Sequence, residues 1–175
     1  MGEVKNQSRE RWTGMSIRGA VQHTGLTVSN LERSVDFYTK VLGCTVIMQQ
    51  EKVGGYLADI VGYPDVHIRM AHLHDPAGHL VVELFEYMYP KPLPADLEPR
   101  RIGNAHMCFM VSDLNAIYSD LQGKNIDFIS PPIVVDTGAN AGGIGLYLRD
   151  PDGIIMELYQ PALGTAAHKL LHGEK

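Results

Sequence analysis

The chain has 175 residues, is 45% apolar and carries a formal net charge of −5. That length suits one large domain or two small modules around a shared core. Charges of one sign do not form long runs, which argues against nucleic acid or an anionic membrane as partner. No stretch approaches the roughly 18 consecutive apolar residues of a membrane span.

The first residues, MGEVKNQSRERW, lack the apolar centre of a signal peptide and read as part of a tail over 1–17, in which Trp12 could dock on the body. Cys44 and Cys108 make no disulfide framework, so free thiols in a reduced cytoplasm are expected. From His23, "HTGLTV" alternates Leu26 and Val28 with His23, Gly25 and Thr27, the period of a strand. Ser29-Asn30-Leu31-Glu32 then fits a helix start, and Leu31, Val35, Tyr38 and Leu42 recur at helical spacing before Gly43. Strands are expected near 44–50, 67–73 and 79–87. The stretch "YMYPKPLPADLEPRRIG" holds four prolines and reads as an extended linker over 89–103.

The pattern then returns. "HMCFMVSDLNAIYSDLQG" from His106 matches the stretch from His23 at an offset of 83, with Ser112 or Asp113 as helix cap and Leu114, Ile117, Tyr118 and Leu121 as its stripe. Strands are expected near 126–129, 144–149 and 153–160, and a tail over 162–175. The turns DPAG and DPDG each precede an apolar run with a glutamate inside it, Glu83 and Glu157. A fold built from two copies of one unit follows, a first module over 18–88 and a second over 104–161.

A carboxylate in a buried strand is costly unless something positive faces it. By alternation, Glu83 shares a face with Val81 and Phe85, and Glu157 shares one with Ile155 and Tyr159. Each module thus presents one His and one Glu on the strand face turned from its helix. If those faces meet, two imidazoles and two carboxylates converge, a mixed N/O donor set suited to zinc, iron, nickel, cobalt or manganese. His67 and Arg69 precede the first glutamate strand and are candidates to line the pocket, with Phe85 and Tyr159. His72, His74 and His79 crowd the nearby turn and read as surface residues. The Gly-rich "TGANAGGIG" lacks the Lys and Ser/Thr of a phosphate loop and reads as a mobile loop at the pocket edge.

The stretches "HTGLTVSNLERSVDFYTKVLG", "HLVVELFEY", "HMCFMVSDL" and "YLRDPDGIIMELYQP", spanning 21–161, resemble the vicinal oxygen chelate superfamily. That superfamily includes glyoxalase I, methylmalonyl-CoA epimerase, extradiol dioxygenases and bleomycin- or fosfomycin-resistance proteins. The resemblance implies an α+β fold of two tandem βαβββ modules forming an open, U-shaped mixed β-barrel around one divalent metal per chain. It maps the metal ligands onto His23, Glu83, His106 and Glu157. Extradiol dioxygenases lack the first glutamate, so Glu83 favours an isomerase, epimerase or glyoxalase-like lyase. Its expected chemistry is proton abstraction by Glu157 or Glu83 next to the carbonyl of a small hydroxy or oxo compound or thioester. The rivals are an iron-dependent oxygenase using His23, His106 and Glu157, and a drug-binding resistance protein without turnover. A homodimer is expected, with each site made within one chain.

Overall fold

The computed structural model describes residues 19–78 and 81–173; the expectations for the first 17 residues, Trp12 and His79 lie outside them. The first sheet contains β1 (His23–Thr27), β2 (Thr45–Val53), β3 (His67–His74) and β4 (Val81–Tyr89), in the order β1-β4-β3-β2. The second contains β5 (His106–Met110), β6 (Asp127–Phe128), β8 (Ile144–Arg149) and β9 (Ile155–Gln160), in the order β5-β9-β8-β6, with the short β7 (Ile133–Val134) also paired to β8. In each sheet the first strand lies parallel to the last, β1 on β4 and β5 on β9, and the remaining neighbours are antiparallel. The fold is α+β, as expected. The sheets are separate and open, and the described residues contain no strand pairing that closes them into one barrel.

Helix α1 (Leu31–Lys40) follows β1, and α3 (Leu114–Leu121) follows β5. Asn30 caps α1 by accepting from the Arg33 amide at 2.8 Å, and Asp113 caps α3 by accepting from Ala116 at 2.9 Å. Two further short helices appear, α2 (Tyr56–Val61) and α4 (Ala166–Leu171), the latter in the stretch expected to be a tail. With six residues each, they are too short to leave a helical period. Among the described residues no helix is long and apolar enough to cross a membrane.

One apolar core joins the two halves. Ala71, Leu73, Val82 and Leu84 of the first sheet pack in the same cluster as Leu146, Leu148, Met156 and Leu158 of the second, with Leu31, Phe37, Tyr38 and Leu114 from the helices. Burying a side chain of this size contributes roughly 1.5–3 kcal/mol. Tyr38 is fully buried, and its hydroxyl donates to Asp150 Oδ2 at 3.3 Å, in the DPDG turn. Asp150 in turn accepts from the amides of Asp152 and Ile154 at 2.9 and 2.8 Å, which fixes that turn before β9.

At the rim, Asp152 accepts from the Ser29 amide at 3.0 Å, the Ser29 hydroxyl at 2.5 Å and Arg33 at 2.7 Å. Partial burial pushes its carboxyl up, but the Ser29 hydrogen bonds and the Arg33 charge outweigh this and hold it below the ordinary range. A depressed carboxylate stabilises the fold while ionised. Its contribution is complete above about pH 5 and is lost as pH falls through the folded-state pKa. Arg33 is half-exposed, so solvent screens the pair and Asp152→Asn is expected to cost about 1 kcal/mol at pH 7. In urea titrations that difference from the unsubstituted protein should shrink toward zero as pH falls through the depressed folded-state pKa of Asp152.

Candidate metal centre

Strand alternation and the shared core decide where the polar side chains go. Val82 and Leu84 flank Glu83 and point into the core, so Glu83 projects from the opposite face of the first sheet. Met156 and Leu158 flank Glu157 and do the same for the second. Each sheet therefore carries a glutamate on the face away from α1 and α3.

On the first sheet, His23 Nε2 lies 3.4 Å from Glu83 Oε2. The other His23 nitrogen, Nδ1, rests against the Gln22 side-chain oxygen, which accepts its proton and leaves Nε2 free to bind. On the second sheet, His106 Nε2 lies 3.0 Å from Glu157 Oε2. Two ligands on one ion at bond lengths of about 2.1 Å stand about 3.0 Å apart at a right angle and about 3.4 Å apart at a tetrahedral one. Both His–Glu pairs fit that spacing, and the donor set fits a divalent transition ion. The pairs themselves are not brought together. Among the described residues, no three or more His, Cys, Asp or Glu side chains are gathered as a ready metal site. The described residues thus hold two His–Glu pairs, one on each sheet.

The halves differ in what surrounds each glutamate. His72 on β3 stands opposite Glu83 in the register, and its Nε2 lies 2.5 Å from Glu83 Oε1. His72 is thus a partner of the first glutamate, not the surface residue expected. In the second half Tyr147 holds the matching place opposite Glu157, and its hydroxyl lies 3.3 Å from His106 Nε2. Beside Glu83 on β1 stands Gly25, where a Cβ would meet Phe85 at 3.6 Å and Glu83 at 3.8 Å. Beside Glu157 on β5 stands Cys108. Desolvation, with the Glu157 charge and a hydrogen bond to it, pushes that thiol up to about 12, so it stays protonated and donates to Glu157.

Phe85 and Tyr159 share the glutamate faces as expected. Phe85 leans on a second apolar cluster formed by Leu57 and Ala58 of α2 with Val66, Ile68 and Met70. Arg69 and His67 do not line this site. Arg69 faces α1, pairing with Glu32 and, at 3.0 Å, with Glu86, and His67 pairs with Glu51 at 2.5 Å. Ile68 and Met70 are buried under α2 while Ala71 and Leu73 are buried under α1, so β3 is apolar on both faces. That removes the contrast by which a sequence shows which face is which.

Tyr159 lies under the 137–145 loop, which hydrogen bonds tie down: Val135 and Gly143 pair through backbone N–H and C=O at 2.9 Å, and Gly142 N donates to Val135 O at 2.8 Å. A Cβ at Gly143 would stand 2.6 Å from the Tyr159 hydroxyl and 2.9 Å from the Gln160 carbonyl. Gly143→Ala is expected to destabilise by about 1–3 kcal/mol in chemical denaturation, because the backbone there cannot give way.

Comparison with known proteins agrees with this architecture. The chain is 29% identical over 164 residues to a 2-epi-5-epi-valiolone epimerase from Actinomyces sp., covering 87% of this chain and 86% of that one. It is 26% identical over 145 residues to human mitochondrial methylmalonyl-CoA epimerase, covering 81% and 74%. A glyoxalase family protein from Bacillus cereus shares the fold with a TM-score of 0.72 at 19% identity, covering 85% of this chain and 99% of that one. The sequence profile of the Glyoxalase/Bleomycin resistance protein/Dioxygenase superfamily matches residues 20–158, and the chain belongs to that superfamily.

Proposed function

We propose that the protein is a divalent-metal-dependent epimerase, isomerase or glyoxalase-like lyase acting on a small hydroxy or oxo carbonyl compound or its thioester. The carrying observation is the matched pair of His–Glu contacts on equivalent strands of the two sheets, spaced as ligands of one ion. His23, Glu83, His106 and Glu157 would hold the metal, of the zinc, nickel, cobalt, manganese or iron type, within a U-shaped cup formed by two βαβββ modules. When bound, the ion supplies stabilisation of negative charge developing on a carbonyl oxygen. The reading includes a homodimer in the cytoplasm. The similarity to two epimerases supports the reaction class.

The surroundings of the two carboxylates favour Glu157 as the base. Glu83 has one oxygen toward His23 and the other held by the His72 imidazole, which fixes it as a ligand. Glu157 has Tyr147 in the place of His72, with its hydroxyl toward His106, and beside it only the Cys108 thiol, a weak donor, so it keeps an oxygen with which to accept a proton. The step is a proton transfer from the carbon next to the carbonyl to a Glu157 oxygen, followed by its return to the same or the opposite face. Phe85 and Tyr159 exclude water from the faces on which this occurs.

His106→Ala is expected to strip most of the bound metal, read by elemental analysis of purified protein. Glu157→Gln should retain measurable metal and lose turnover, because an amide coordinates but does not accept the proton. With metal-loaded protein and a panel of α-hydroxy acids, α-oxo acids and acyl thioesters in deuterated water, NMR should show deuterium entering the carbon next to the carbonyl. Stoichiometric oxygen uptake with an iron-loaded sample and a catechol would instead favour the oxygenase and sink this reading.

A further inference from the structure

We infer that His168 and His172, one turn apart on α4, form a second metal site, a two-imidazole chelate for copper(II). The site uses none of the four candidate ligands on the sheets. Three observations carry it. First, the helix fixes the pair. Thr165 caps α4 by accepting from the His168 amide at 3.2 Å, and the His172 amide donates to the His168 carbonyl at 3.2 Å. Side chains four residues apart on a helix share a face, with Cβ atoms roughly 5–6 Å apart. Second, the two rings already stand as ligands do. Their centroids are 4.6 Å apart and their planes are inclined at 48°. A metal–nitrogen bond of about 2.1 Å, with the ring centre roughly 1.1 Å beyond the nitrogen, puts two ring centroids about 4.5 Å apart at a right angle and about 5.2 Å apart at a tetrahedral one. The spacing here fits neighbouring corners of a square or octahedral ion. Third, His168 Nδ1 is buried and, among the described residues, has no hydrogen-bond partner. A buried polar nitrogen in that state is costly. No hydrogen bond at Nδ1 commits the ring to one tautomer, and a coordinated ion gives the imidazole the partner it lacks.

The geometry selects the ion. Copper(II) takes imidazole ligands, favours the tetragonal arrangement with right angles, and binds most tightly among the divalent ions of its row. Zinc favours the wider tetrahedral angle. His172 is also the C-cap of α4. Backbone carbonyls at a helix C-terminus lack amide partners, and positive charge is favoured there. His172 is exposed and His168 half-buried, so the pair is open to an ion from solution. Rings already spaced for binding lose little freedom when the ion arrives. Two protein bonds leave its other positions to water, so the ion exchanges. None of the α4 residues is buried, and loading this site leaves the apolar core as it is.

The test uses the full chain, isotope-labelled and stripped of metal, beside its His168→Ala and His172→Ala variants. Both histidines lie outside the apolar core, and the amide NMR spectrum checks that each variant folds. Copper(II) is added in steps. A bound copper(II) ion is paramagnetic and erases the amide signals around it, so the spectrum shows where it sits. In the unsubstituted protein the signals of residues 165–173 should fade by about one to two equivalents. Either substitution should raise the copper concentration needed for that fading at least tenfold. Fading around residues 23, 83, 106 and 157 reports the ligands on the sheets and is read separately, so the two sites succeed or fail independently. Signals at 165–173 that persist at about ten equivalents, or that fade alike in the unsubstituted protein and both variants, would overturn the inference. Fading abolished by one substitution but untouched by the other would reduce the site to a single adventitious histidine and overturn it as well.

Discussion

The contact between α1 and the second sheet, centred on the buried Tyr38, sets the terms for the rest of the molecule. A strand has two faces, and once the helix-side faces of both sheets share one core, every polar residue at the alternate positions is sent to the other side. Glu83 and Glu157 owe their accessibility to that rule. Their side chains are only 13% and 23% exposed, because each is covered by an imidazole and by the neighbouring strand. The same packing that exposes the carboxylates also parts them.

The halves share a strand plan, but their chemistry has diverged. His72 and Tyr147 occupy the same place opposite a glutamate, as do Gly25 and Cys108 beside one. An imidazole grips a carboxylate through a strong donor, whereas a thiol does so weakly. Two carboxylates set equivalently in the backbone thereby acquire unequal freedom. In the proposed function, that difference is what separates a fixed ligand from a mobile base.

Much of this was legible in the sequence where a strand or helix buries one face only. The histidines, the glutamates and the capping positions at Asn30 and Asp113 followed from periods of 2 and 3.6 residues. The reading of β3 failed because α2, too short to announce itself between Gly54-Gly55 and Gly62, covers its second face. His67 and Arg69 were therefore expected on the wrong side. His72 was hidden for a different reason: its pairing with Glu83 depends on the hairpin register, which local composition does not fix. The relative placement of the halves depends on Ser29, Arg33 and Asp152, residues that also read as ordinary cap and turn residues.

The Ser29–Asp152 contact and the core beneath it hold the chain together without using any of the four candidate ligands. Folding and the proposed chemistry consequently draw on different residues. A change of ligand, of base or of the neighbours at positions 25, 72, 108 and 147 alters what the surface can do while the scaffold keeps its stability. Such a frame tolerates drift in whatever chemistry its outer faces carry, so selection can retune them one side chain at a time without first rebuilding the protein.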